Sequence, residues 1–369
     1  MPSTASEQVV GAVTFTAALD WREPSAADLL RAYAGQFGAR DAATLLIHGG
    51  SAADVVPVAA ELGDGSPDMV LVEHVEAVEV APRVDAVLSD GPAQGALADL
   101  PWLGAAGLRA LYDLRVPGMR RAHRFTCNLC GATSAAETRG WPRDTATCPR
   151  CGSAARFRGL ADLIARELFE STEPLYALPA RPELTGVGMS DPLPLAAVLG
   201  RRMSYANTFY HCEPRLDVCA PGDHAGRYDL VVCSEVLEHV PPPIEPAFTG
   251  LHDLLRPGGL LVFSVPYRAD APTQEHYPDL HRYEVVARDG SHVLQNVTRA
   301  GVEQEFTDLV FHGGPGETLE LRMFGLDDVL ASLETAGFAD VRVRREPDID
   351  HGVWWPGWDG WPVTARRPA

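Results

Sequence analysis

Apolar and polar positions fall into two kinds of block along the chain. Ala43 to His48 (ATLLIH), Met69 to Val72 (MVLV) and Ala86 to Leu88 are short apolar runs, the first closed by Gly49-Gly50. Such runs predict strands of a sheet covered on both faces. Between the first two, Ser51 to Leu62 has helical spacing, with Ser51 as cap and Gly63 as stop. Ala105 to Leu114 predicts a further helix. Strand–helix alternation of this kind predicts a small α/β unit with a parallel sheet. A second alternating region begins near Leu184. It predicts strands ending near Met189, at Leu216 to Val218, Tyr228 to Ser234, Leu260 to Val265, Val341 to Arg344 and Pro362 to Arg366. Helices are expected over Pro192 to Leu199 and over Leu326 to Ala336, the latter stopped by Gly337. Ser291 to Val297 and Val302 to Leu309, around Arg299-Ala300-Gly301, predict an inserted β-hairpin.

At 369 residues the chain has room for two or three domains. Val116-Pro117-Gly118 and the prolines from Pro179 to Pro182 mark the boundaries, giving segments 1–115, 116–182 and 183–369. The 50 acidic residues outnumber 31 bases, for a net charge of −19. So acidic a surface repels phosphate backbones and argues against bulk nucleic-acid binding. Every base is arginine. The lack of lysine excludes a pyridoxal Schiff base, a phosphate-loop lysine and a kinase strand lysine. The start, MPSTASEQVVGAV, has no basic leader and no long apolar core, and no apolar run of about 18 residues occurs. A cytoplasmic protein without membrane contact is expected.

Four of the seven cysteines form two CxxC pairs, Cys127/Cys130 and Cys148/Cys151, 17 residues apart. The spacing predicts one four-thiolate zinc ion, each pair lending two sulfurs to a tetrahedron. Gly131 and Gly152 follow each pair, where the turn benefits from positive φ. Four sulfur ligands leave no open position, so the zinc is expected to be structural. Arg120, Arg121, Arg124, Arg150, Arg156 and Arg158 surround the motif. They either offset the charge of the centre or contact nucleic acid, and the overall acidity favours the first. Cys212, Cys219 and Cys233 lie at or beside apolar runs and are expected in the core.

Three segments in fixed order carry the candidate chemistry. Leu184-Thr-Gly186-Val-Gly188-Met-Ser190-Asp191 is a strand entering a glycine turn. Tyr228-Asp-Leu-Val-Val-Cys-Ser234-Glu235-Val-Leu-Glu238-His239-Val240 is a strand with an acidic, histidine-bearing end. Leu254-Leu-Arg-Pro-Gly-Gly259 introduces a buried strand. In this order they resemble the class I S-adenosylmethionine-dependent methyltransferases, particularly those with a VLEHV strand end and an LLRPGG turn. Glu275-His276-Tyr277-Pro278, Phe311-His312-Gly-Gly-Pro-Gly316 and Thr318-Leu-Glu-Leu-Arg322 look like blocks of a subgroup that joins a zinc ribbon to a methyltransferase. The first segment resembles the C-terminal part of a Rossmann-like glycosyltransferase domain. It is too short for two lobes, so a non-catalytic protein-docking or scaffold role is expected there.

The resemblance implies an α/β fold: a Rossmann-like seven-stranded methyltransferase domain, preceded by the ribbon and the small N-terminal α/β domain. It implies S-adenosylmethionine held by Gly186, Gly188 and Asp191, with Asn207 or Thr208 at the ribose and Asp217 at the adenine. Ser234, Glu235 and His239 would line the methionine end. The turn lacks the usual third glycine, no acid closes the second strand, and the helix between strands two and three is missing. His276 is the expected general base, its tautomer fixed by Glu275 or a carbonyl, with His312 as the second candidate. Tyr267 and Arg322 either orient the acceptor or serve packing and ion pairing. Trp354, Trp355, Trp358 and Trp361 either cap the domain or stack on substrate. The function expected is O-methylation of a small molecule or saccharide. The alternatives are a nucleic-acid methyltransferase docked by its ribbon, or a binding module that has lost catalysis.

Overall fold

The structure is a computed structural model. It describes residues 13–18, 25–37, 43–48, 52–62, 68–71, 86–88, 102–103, 107–108, 112, 122–137, 143–145, 147–288, 290–312, 318–346, 348–353 and 360–369. The linker Val116-Pro117-Gly118, Arg120, Arg121, Gly313 to Gly316, Trp354, Trp355 and Trp358 lie outside the described residues, as does most of the helix expected at Ala105 to Leu114. The chain divides into two compact units.

One unit is built on a parallel sheet of β1 (Val13–Ala18), β2 (Ala43–His48), β3 (Asp68–Leu71), β4 (Ala86–Leu88) and β5 (Trp102–Leu103). Its order is β3-β2-β1-β4-β5. Helices α1 (Ser25–Gln36) and α2 (Ala52–Leu62) follow β1 and β2. Leu45, Leu46 and Ile47 are all buried, as a doubly covered parallel strand requires. Phe37 stacks on Tyr33 with centroids 4.7 Å apart and meets Tyr112 edge-on at 5.4 Å, closing an aromatic core. The unit also holds the hairpin of β6 (Ala122–Thr126) and β7 (Thr133–Glu137).

In the other unit, α3 (Ala155–Glu167) precedes β8 (Thr185–Met189), α4 (Leu193–Arg202), β9 (Ser204–Thr208) and β10 (Tyr228–Ser234). Then come α5 (Glu245–Leu254) and β11 (Leu255–Ser264). Strands β8 to β11 are parallel. Far along the chain, α6 (Leu326–Thr335), β20 (Ala339–Val343) and β21 (Val363–Arg366) complete the layer, both strands antiparallel to their neighbours. The sheet order is β20-β21-β11-β10-β8-β9. The chain leaves β8 toward β9 and returns on the other side through β10, so the switch point lies between β8 and β10. Ligands of open α/β sheets bind outside the carboxyl ends of the strands at such a point.

This sheet has six strands among the described residues, where seven were expected. Leu216 to Val218 is not a strand. Phe209 and Arg215 form an isolated parallel bridge, and then Asp217 Oδ1 accepts the Cys219 amide at 2.9 Å, turning the chain. Pro214 and Pro221 flank this segment and deny it ladder donors. No helix lies between β9 and this turn, as the sequence indicated. Of the three remaining cysteines, Cys233 is buried on β10, but Cys212 is exposed and Cys219 half-buried. Trp361 is buried.

The insertion after β11 carries β12 (Tyr267–Arg268), β13 (Gln274–Glu275), β14 (Arg282–Arg288), β15 (Ser291–Val297), β16 (Glu303–Phe306), β17 (Phe311–His312), β18 (Thr318–Leu319) and β19 (Arg322–Gly325). The expected hairpin is β15–β16, extended by β14 to three antiparallel strands. Tyr277, Leu280, Leu294 and Leu321 form its small core. Among the described residues no helix is long and apolar enough to cross a membrane.

Candidate functional site: a thiolate cluster, a strand-end crevice and a carboxylate–histidine group

Cys127, Cys130, Cys148 and Cys151 bring their sulfurs within 4.8 Å of one another. The Cys127 amide donates to the Ala132 carbonyl at 2.9 Å, closing the turn that aims the first pair inward. Gly131 and Gly152 have φ of +71° and +72°, the left-handed backbone their positions called for. Four cysteine sulfurs converging so closely form a donor set suited to a soft, tetrahedral ion.

The crevice at the ends of β8 and β10 is built from strained turns. Ser190 and Glu235 follow these strands with φ of +57° and +56°, conformations that L residues hold only where surroundings enforce them. Asn207 enforces the first. Its Oδ1 accepts the Asp191 amide and its Nδ2 donates to the Asp191 carbonyl, both at 2.9 Å. Thr208 is buried and donates to the Gly188 carbonyl at 2.7 Å. Thr208 therefore holds the glycine turn and does not present its hydroxyl to a ribose; Asn207 clamps the same turn.

Asp191 is buried beneath this turn and accepts a hydrogen bond from the Tyr205 hydroxyl. Burial pushes its carboxyl up to about 7, against the opposing pull of Tyr205 and of Arg156. Burial also raises the Tyr205 phenol well above its usual range. Gly188 faces this pair: a Cβ there would stand 1.7 Å from Asp191 Oδ2 and 2.1 Å from the Tyr205 hydroxyl. The glycine is thus required by a neighbour inside the fold. Asp191 Oδ1 is buried with no protein partner. On the β10 side, Ser234, Ser264 and Glu235 form a chain of contacts at 2.8 and 3.1 Å. Arg156, from the first turn of α3, donates to Ser234. Sequence reasoning had assigned this arginine to the surroundings of the cysteines.

The third group lies just beyond β10. Leu237 to His239 form a single 3-10 turn. The Thr318–Arg322 block wraps it: His239 Nδ1 donates to the Leu319 carbonyl at 2.8 Å, and the Leu321 amide donates to the Glu238 carbonyl at 2.8 Å. The fully buried Arg322 donates to the Leu237 carbonyl at 3.0 Å and the Val240 carbonyl at 2.6 Å. Arg322 also pairs with Glu275 at 2.7 Å, so it belongs to the framework. Glu275 is consequently not the partner of His276. In an extended segment adjacent side chains leave opposite faces, and β13 sends Glu275 to its register mate Arg322. His276 Nε2 instead meets Glu320 at 3.0 Å, and His312 Nε2 meets the other oxygen of the same carboxylate. Burial raises the Glu320 carboxyl, but the hydrogen bonds from His312 and His276 outweigh it and hold the group below its usual range. Tyr267 is buried on β12, opposite Phe324 of β19, at a packing position.

Glu238 completes the group. It is fully buried, neither carboxylate oxygen has a hydrogen-bond partner, and burial and then Glu235 push its pKa well above the usual range. His239 is shifted down, chiefly by burial, and stays neutral at pH 7. The site thus unites His239, His276 and His312, which the sequence singled out, with Glu238 and Glu320, which it quoted only as parts of motifs. The sequence signal for both was their place inside the VLEHV and TLELR blocks.

Residues 164–308 match a family model described as a methyltransferase domain. Among curated proteins, the ubiquinone biosynthesis O-methyltransferase of Coxiella burnetii is 36% identical over 81 residues, 22% of this chain and 33% of that protein. The enzyme of the same name from Acinetobacter baylyi is 32% identical over 83 residues, covering 22% and 34%. The chain therefore spans about a third of the length of the curated relatives it matches. Among solved structures, Burkholderia thailandensis 1,6-didemethyltoxoflavin-N1-methyltransferase, bound to 1,6-didemethyltoxoflavin and S-adenosylhomocysteine, aligns with a TM-score of 0.35 and 18% identity. It covers 58% of this chain and 79% of that one.

Proposed function

We propose that this chain, whose residues 164–308 match a methyltransferase-domain model, transfers a methyl group from S-adenosylmethionine to a hydroxyl of a small molecule or saccharide. The observation that carries this reading is the pair of strained turns at the switch point, Ser190 and Glu235, with the unpartnered Asp191 Oδ1 beneath them. A buried carboxylate oxygen without a partner suits the ammonium end of an amino-acid ligand. The Arg156 guanidinium suits its carboxylate. Gly186, Gly188, Ser234 and Glu235 would border the donor, and the second oxygen of Asp217 would accept from the adenine amine. When bound, the donor supplies an electrophilic methyl on a sulfonium that leaves as a neutral thioether.

The protein's task is alignment, exclusion of water and removal of one proton. If His276 Nε2 carries the proton toward Glu320, its Nδ1 keeps a lone pair for the acceptor hydroxyl, with the carboxylate fixing the tautomer. The hydroxyl proton of the acceptor would pass to His276 Nδ1 as its oxygen takes the methyl group. Cys127, Cys130, Cys148 and Cys151 would bind one zinc as a closed, structural centre. In this reading residues 1–115 are a protein-docking domain, 116–182 the ribbon and linking helix, and 183–369 the catalytic domain, working in the cytoplasm.

Calorimetry with S-adenosylhomocysteine tests the proposal. Wild-type protein should bind one equivalent, and Arg156→Ala should weaken binding by roughly 1.5–3 kcal/mol, the worth of a charge-assisted hydrogen bond. Wild-type protein that binds none is not a methyltransferase of this kind.

A further inference from the structure

We propose that Glu238, His239 and His312 bind a divalent transition-metal ion distinct from the cysteine-bound one, and that this ion holds an oxygen of the methyl acceptor. The second half rests on the methyl-transfer reading above; the first stands on geometry alone.

Three ligand atoms converge. His312 Nδ1 lies 3.2 Å from His239 Nε2 and 3.7 Å from Glu238 Oε1, while His239 Nε2 lies 3.6 Å from Glu238 Oε1. The circumradius of a triangle with these edges is about 2.0 Å, so one point lies at a Zn–N or Zn–O bond length of about 2.0–2.2 Å from all three atoms.

Proton accounting gives a second reason. His239 Nδ1 faces a carbonyl and must carry hydrogen, which leaves Nε2 with its lone pair. His312 Nε2 faces the Glu320 carboxylate and carries hydrogen there, which leaves Nδ1 with its lone pair. Two lone pairs and the buried, unpartnered Glu238 carboxyl then face one another. Such an arrangement calls for a shared proton or a cation among them, and three ligand atoms around one point suit a cation.

The outer contacts are those of a metal centre. A ligating histidine usually donates its far nitrogen to a carbonyl or carboxylate, which fixes its tautomer and raises its basicity. His239 has the Leu319 carbonyl in that role and His312 has Glu320, itself steadied by His276. Two imidazoles and one carboxylate favour zinc, manganese, iron(II) or cobalt over magnesium and calcium. Three protein ligands leave positions open, as centres that hold a substrate oxygen require. His312 reaches the ion from the insertion, and its side chain is 38% exposed, so the open side faces solvent there.

The test titrates Co²⁺ into the zinc-loaded protein, reading visible absorption and metal content together. One further equivalent should bind, with the weak d–d bands of nitrogen and oxygen ligands and no thiolate charge-transfer band. His312→Ala and Glu238→Gln should each weaken it at least tenfold, and Glu320→Gln about 10–100-fold, the usual effect of losing an outer partner. His312→Ala changes an accessible side chain, so it should keep its fold and its S-adenosylhomocysteine affinity. Absence of the extra equivalent, or binding that both ligand variants leave unchanged, overturns the proposal. Cobalt failing while S-adenosylhomocysteine binds removes the metal site and leaves the methyltransferase reading. The converse removes methyl transfer and the acceptor role while retaining the site.

Discussion

Replacing Asp191 by asparagine should make the protein more stable relative to wild type as pH rises. In the native state the buried carboxyl keeps its proton to about pH 7, whereas in the unfolded chain it loses it near the ordinary value of 3.8. Between those values the unfolded form holds fewer protons than the native form, so wild-type stability falls with increasing pH. The full penalty is about three pKa steps at 1.36 kcal/mol each, or roughly 4 kcal/mol. About 3 kcal/mol of it falls between pH 5 and pH 8. Asparagine has no proton to lose, and its carbonyl oxygen still accepts from the Tyr205 hydroxyl. Urea or thermal unfolding of both proteins at pH 5 and pH 8 isolates this one group, because every other titration cancels in the comparison. The variant's relative stability should rise by about 3 kcal/mol, read as several degrees in Tm. Curves that stay parallel across the two pH values would mean that Asp191 ionises freely in the folded protein.

Cys127→Ser should lower bound zinc from one ion per chain toward none and loosen the turns around Gly131 and Gly152; elemental analysis of the purified variant reads it directly. Arg322→Met should cost roughly 3–5 kcal/mol by removing a buried cation from two carbonyls and Glu275, measured as a lower urea midpoint. An unchanged midpoint would show that the Leu237–His239 turn holds without it.

Local signals served well where local physics decides. The two CxxC pairs, Gly131 and Gly152 were legible because metal spacing and turn geometry are written into a few consecutive residues. Strand β2 was legible because a doubly buried parallel strand is a plain apolar run. Its neighbour β1 was not, although it is central: VTFTAA alternates threonine with apolar residues like a strand with one wet face. Thr16 is nevertheless fully buried, its hydroxyl donating to the Leu46 carbonyl 30 residues away. Motif order suggested a third strand at Leu216 to Val218, but Pro214, Pro221 and the Asp217 turn outweigh it. In the site, His276 and His312 stood out as histidines in unusual blocks. Their common partner Glu320 did not, because it lies 44 residues beyond His276 and only β13, β18 and β19 bring it there. Glu238 reads as one acid among many until burial removes its water.

The wrapping of the Leu237–His239 turn by the Thr318–Arg322 block has a thermodynamic consequence. The turn follows β10 at the crevice, and the block belongs to the insertion that carries His312. Backbone hydrogen bonds and one buried guanidinium make the two a single element. A ligand that shifts the block therefore changes the affinity of the turn for whatever lies against it. Linkage makes that change reciprocal: by whatever factor the first ligand alters the second's dissociation constant, the second alters the first's. In the methyl-transfer reading, donor and acceptor affinities would in that sense be one coupled quantity, shared between two segments some 80 residues apart in sequence.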